Sequence, residues 1–110
     1  MIAYDDFARV DVRAGTILAA EPLAGARKPA LALRIDFGPE IGERRSSAQI
    51  ATLYDPATLV GTQVCAVTNF PPKRIAGFES QVLVLGMADA SGAIVLVRPQ
   101  FPVPNGARLF

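Results

Sequence analysis

The sequence predicts an all-β fold: a five-stranded Greek-key barrel with a short helix between its third and fourth strands. Three observations point there. Apolar residues recur at alternate positions in short runs, the period of a half-buried strand. Gly, Pro, Asn and Asp punctuate those runs with turn chemistry. The best helix signal falls between the third and fourth run. With 110 residues, the chain has room for one domain, residues 1–110, and for no second core.

The elements follow in order. Asp5 and Asp6 ahead of Phe7 predict a short N-terminal helical turn. Val10, Val12 and Ala14 alternate with Asp11 and Arg13, a strand in which Gly15 reads as a phase-switching bulge before Ile17. Glu21 to Pro29 reads as a loop. Ala30 to Phe37 is the clearest strand, with Leu31, Leu33, Ile35 and Phe37 on one face and Arg34 and Asp36 on the other. Glu43 to Ile50 is a more polar strand. In the stretch Tyr54 to Gly61, Asp55 suits the N-cap, Pro56 the first helical position and Gly61 the stop. Val64 to Thr68 is a short apolar strand, and Asn69 to Phe78 a loop stiffened by Pro71 and Pro72. Val82 to Met87 and Ala93 to Val97 form a hairpin around Asp89-Ala90-Ser91-Gly92. Pro99, Pro102 and Pro104 bar a regular central strand, so the tail should wrap the body as extended chain. This order is that of an oligonucleotide/oligosaccharide-binding (OB) barrel. An SH3-like barrel is the alternative that the pattern leaves open.

Composition narrows the function. Hydrophobic residues make up 51% of the chain, more than so small a domain can bury. The excess predicts an apolar patch and a homodimer. The net charge of +1 is too small for a binder that works by bulk electrostatics, so any nucleic-acid contact must come from local patches. There is no histidine and only one cysteine, Cys65. The usual general base, a serine triad and a zinc site are thereby excluded. No glycine-rich phosphate loop is present. Asp36, Glu40, Glu43 and Glu79 read as solvated charge rather than an acid/base pair. The expectation is a binding module that uses no cofactor and no metal. It is not an enzyme, and the lone cysteine suits a reducing cytoplasm. The first twelve residues lack the pattern of a signal peptide, and no apolar run is long enough for membrane insertion.

Three basic pairs stand out: Arg27-Lys28, Arg44-Arg45 and Lys73-Arg74. In an OB barrel the elements that carry them can converge on one face. Asn69, Ser46, Ser47, Ser80 and Gln81 are the uncharged polar residues beside them, and Phe37, Phe70 and Phe78 are candidates for stacking or apolar contact. Each phenylalanine also reads well as core.

Val10-Asp11-Val12-Arg13-Ala14-Gly15-Thr16-Ile17, Leu59-Val60-Gly61-Thr62-Gln63-Val64 and Thr68-Asn69-Phe70-Pro71-Pro72-Lys73-Arg74-Ile75-Ala76-Gly77-Phe78-Glu79-Ser80 together resemble the tRNA-binding domain family. The likeness runs over the whole chain. Ala26-Arg27-Lys28-Pro29-Ala30, Ser46-Ser47-Ala48-Gln49-Ile50 and Pro102-Val103-Pro104-Asn105-Gly106 place it nearest the family's bacterial secretion-chaperone branch. The resemblance implies an OB-fold homodimer built with help from the N-terminal turn and the C-terminal tail. It implies cytoplasmic binding of unfolded or extended preproteins and peptides, with Phe37, Phe70 and Phe78 as expected apolar contacts. It implies tRNA as a further partner, on Lys28, Arg44, Asn69, Lys73, Arg74 and Ser80. Leu83 and Ala48-Gln49 depart from what tRNA-binding members carry.

Overall fold

The computed structural model describes residues 1–110. It contains helix α1 (Tyr4–Ala8), then strands β1 (Val12–Pro22) and β2 (Leu31–Asp36), the turn-like helix α2 (Gly38–Ile41) and strand β3 (Glu43–Ala48). Helix α3 (Pro56–Leu59) and strand β4 (Gln63–Val67) follow. The chain continues through β5 (Lys73–Ile75), β6 (Phe78–Ser80), β7 (Leu83–Val84), β8 (Gly86–Ala88) and β9 (Ile94–Leu96). Five strands form one antiparallel sheet in the order β3-β2-β1-β4-β7. It curls into a nearly closed barrel of OB type.

The two edge strands, β3 and β7, do not form a ladder. One backbone bond and several side-chain bonds close the seam instead. Gln81 donates its backbone N–H to the Arg45 carbonyl at 2.8 Å, and its Oε1 accepts from the Arg45 N–H at 2.9 Å. Ser80 Oγ accepts from the Ser47 N–H at 3.1 Å, and Ser46 Oγ donates to the Val82 carbonyl at 3.1 Å. These bonds satisfy backbone groups that an edge strand would otherwise offer to another chain.

The interior is built as the alternation of β2 predicts. Leu31, Leu33, Ile35 and Phe37 are buried with Ile17, Val64 and Ala66, and Leu59 of α3 joins them. Each large side chain buried this way contributes about 1.5–3 kcal/mol. The helix forms where Asp55 and Pro56 predict, and Asp55 Oδ1 accepts the Ala57 N–H at 3.0 Å.

Three expectations need correction. Gly15 is not a bulge: β1 pairs regularly with β4 from Val12 to Thr16. The register slips between Ile17 and Ala19, which makes Leu18 the extra residue. Gly15 is required for space, because a Cβ there would meet Ile35 at 2.7 Å and the Phe37 ring at 2.8 Å. The apparent phase switch arises because β1 is apolar on both faces. Ile17 points into the barrel, while Val12 packs outside with Cys65 and Val67. Second, the stretch Asn69 to Phe78 is not all loop. Lys73–Ile75 and Phe78–Ser80 pair as a tight hairpin across Ala76 and Gly77, both at positive φ. Third, Val82 to Met87 is not one strand. Val84 pairs with β4, whereas Gly86 to Ala88 turns away to pair with β9. The turn of that second hairpin is the expected one, with Asp89 Oδ1 accepting from the Ser91 and Ala93 N–H groups at 2.9 and 3.0 Å.

The tail wraps the body as its prolines predict, and it also bonds to β1. Ala14 donates to the Ala107 carbonyl, and Gly106 and Leu109 donate to the carbonyls of Ala14 and Val12. No helix is long and apolar enough to cross a membrane.

Candidate functional site

Two surfaces stand out by their chemistry. The first lies where the β1–β2 loop, β3 and the β5–β6 hairpin meet. A cleft of about 520 Å³ opens there, walled by Arg27, Lys28, Ser47, Gln49, Arg74 and Ile75. Three cations line it and no carboxylate does. Arg74 donates to the Gly77 carbonyl at 3.0 Å, which fixes its stem on the hairpin while the guanidinium keeps its other donors. The hairpin itself is docked on β3 by the Ser80–Ser47 bond. Arg45, two residues from Ser47 on the same outward face of β3, lies over the Phe78 ring at 5.3 Å.

The second surface is apolar and lies at the other end of β1. Helix α1 buries none of its side chains. Tyr4 and Phe7 pack edge-on with ring centroids 6.2 Å apart and stay exposed, as do Leu109 and Phe110 of the tail. A shallow groove of about 260 Å³ runs between them. A neighbouring groove of about 300 Å³ is walled by Cys65, Val97, Val103, Ala107 and Leu109, with Arg98 and Arg108 at its rim. Burial raises the Cys65 thiol above its ordinary pKa, which keeps it protonated and inert.

A polar latch holds α1 and the tail together. Arg13 donates to Asp11 at 2.6 Å, and Arg108 reaches Asp11 at 3.5 Å and the Ala8 carbonyl at 2.8 Å. The hydrogen bond from Arg13 is the main cause that holds the Asp11 carboxyl below its ordinary pKa. Asn69 completes the latch: its Oδ1 accepts from the Asp11 N–H at 2.9 Å and its Nδ2 donates to the Arg9 carbonyl at 2.8 Å.

The residues singled out from sequence therefore separate. Lys28 and Arg74 share the basic cleft. Lys73 is exposed on the same hairpin but does not line the cleft. Arg44 is half-buried, on the inward-facing row of β3 with Ser46, and donates to the Glu43 carbonyl. Asn69 belongs to the latch, at the start of the stretch that leads from β4 to the β5–β6 hairpin. Ser80 is only 8% exposed and spends its hydroxyl on closing the barrel, so it is placed to position the hairpin. The three phenylalanines do not converge. Phe37 is 0% exposed and has no surface to offer a client, Phe70 is 47% exposed on the loop after β4, and Phe78 sits under Arg45. Arg27, Ser47, Gln49 and Ile75 wall the cleft without being among the tRNA contacts that the resemblance implies. Arg27 sits in a basic pair already visible in sequence. The outward position of Ser47 was not legible, because Glu43 to Ser47 is polar throughout and shows no alternation.

Residues 12–108 match the family described as "Putative tRNA binding domain". The chain belongs to this tRNA-binding domain family. Its matching region is of the binding type, not a catalytic domain. Two solved structures align over the entire chain. The chaperone CsaA of Bacillus anthracis is 49% identical with a TM-score of 0.94, covering 100% of this chain and 99% of its own. The CsaA chaperone of Picrophilus torridus is 43% identical with a TM-score of 0.93, covering 100% of both. Methionine–tRNA ligase of Porphyromonas gingivalis is 39% identical over 108 residues, 98% of this chain. The chain spans about 15% of that ligase's length.

Proposed function

We propose that this protein is a CsaA-like chaperone: a homodimer that binds exported proteins in an unfolded or extended state in the cytoplasm. The observation that carries the reading is the apolar surface of α1 and the tail. A five-residue helix with no buried side chain has too few hydrogen bonds to persist alone in water. A second copy laid over Tyr4, Phe7, Leu109 and Phe110 would shield that surface. The adjoining groove past Val97 and Val103 then takes apolar side chains of an extended client. Its volume of about 300 Å³ is at the small end of ligand pockets. Full-length likeness to two CsaA chaperones supports the same reading. The test is slowed aggregation of a chemically unfolded client. A parent protein that leaves aggregation unchanged would remove the proposal.

A second reading has its own observation. The cleft of Arg27, Lys28 and Arg74 has the charge and position of an OB barrel's nucleic-acid site, which suits tRNA. Binding there should weaken as salt rises, because phosphate contacts release counterions. Replacing Arg27 and Lys28 together by Ala should weaken binding and flatten the plot of log affinity against log salt. An unchanged slope would place the site elsewhere.

A further inference from the structure

The pair formed by Arg45 and Phe78 lies outside the lining of the basic cleft, and its chemistry differs from that of a phosphate contact. Four observations define it. The Arg45 guanidinium lies over the Phe78 ring at 5.3 Å, within the range of a cation–π attraction. That side chain is exposed and makes no ion pair or hydrogen bond within the protein, whereas its cross-strand neighbour Arg34 is tied to Glu43 at 2.8 Å. The backbone of Arg45 is fixed by its bonds to Gln81, at 2.8 and 2.9 Å. Finally, Arg45 is two residues from Ser47 of the cleft wall on the same face of β3, a separation of about 6.7 Å along the strand.

A guanidinium that lies over an aromatic ring, exposed and without an ion pair, keeps a planar face open to solvent. A planar, polarisable group stacks there without losing a competing partner. A phosphate needs no such plane, and it is better served by the three cations of the cleft. The two features side by side suit a chain that alternates anionic links with planar groups. A base inside a duplex is already stacked on both faces and cannot reach such a platform, whereas an unpaired base can.

We propose that Arg45, backed by Phe78, is a stacking platform for one unpaired nucleobase, whose neighbouring phosphate sits in the cleft of Arg27, Lys28 and Arg74. This inference rests on the nucleic-acid reading of the cleft and names what that site selects: a single-stranded or looped segment of RNA rather than a duplex. It also assigns a binding role to Arg45 and leaves Arg44, its half-buried neighbour, without one.

The test compares two oligomers of about eight units, within the site size of an OB barrel. One is an oligoadenylate, and the other is the same ribose-phosphate chain without bases. Arg45→Lys keeps the charge and removes the plane, and its effect is read by fluorescence anisotropy competition. The parent should hold oligoadenylate about tenfold more tightly than the abasic chain, the range of one stacked base. Arg45→Lys should lose that preference while holding the abasic chain as the parent does. Arg27→Ala with Lys28→Ala should weaken both oligomers. If the parent binds both oligomers equally, or if Arg45→Lys keeps the preference, the platform is overturned while the basic cleft stands. If the parent binds neither, the nucleic-acid reading falls and the platform with it.

Discussion

At the scale of single residues, two side chains and one missing side chain define what the barrel can do. Gly15 is the missing one: Ile35 and the Phe37 ring occupy the space its Cβ would need. Gly15→Ala should destabilise the protein by about 2 kcal/mol, an overpacking effect that urea unfolding would measure. A change below a few tenths of a kcal/mol would mean that the core relaxes freely around the extra methyl. Ser80 and Asn69 carry the opposite lesson. In sequence both are polar residues of a basic loop and look like ligand contacts. In the structure their hydrogen-bonding groups are engaged within the protein. Sequence shows which residue types are present; it does not show which polar groups are already satisfied, because all but one of these partners, the Val82 carbonyl, are 33 to 60 residues away.

At the scale of elements, the strong periodicities were legible and the split ones were not. β2 alternates cleanly because one face is core and the other solvent. β1 and β4 are buried on both faces, so the alternation fails, and Gly15 was misread as a bulge on that account. The β5–β6 hairpin escaped because its strands have three residues each, too short for a period to show. The latch joining α1 to the tail has a predicted pH dependence. The Asp11 carboxyl has a folded pKa below its unfolded value of about 3.9. Its stabilisation is therefore present above that pH and is lost as pH falls through the lower, folded value. The protection factors of amides in α1 and the tail should fall as the solution is taken below about pH 4, ahead of those of the barrel. A uniform fall across the chain would show that Asp11 does not hold these segments.

At the scale of the whole molecule, the excess of apolar residues in the sequence resolves in part into a place. About half of the exposed large apolar side chains, among them Tyr4, Phe7, Leu109 and Phe110, lie on the N-terminal segment and the tail. The others, such as Leu18, Leu53 and Met87, are scattered over the barrel, so the apolar face and the basic cleft are two chemically distinct surfaces. The proposed dimer is tested by sedimentation of Tyr4→Asp, chosen because Tyr4 is exposed and its loss leaves the barrel core intact. The parent should sediment as a dimer and the variant as a monomer. A parent that is monomeric at micromolar concentration would contradict the assignment of that face.

The most direct measurement of the chaperone reading is the aggregation of a chemically unfolded client followed by light scattering. The parent, Val103→Asp in the apolar groove and Arg74→Ala in the basic cleft are compared at equal concentration. Parent and Arg74→Ala should slow aggregation alike, and Val103→Asp should lose most of the effect. If Val103→Asp protects as well as the parent, or if Arg74→Ala is the variant that fails, extended polypeptide does not bind in the groove between β4 and the tail.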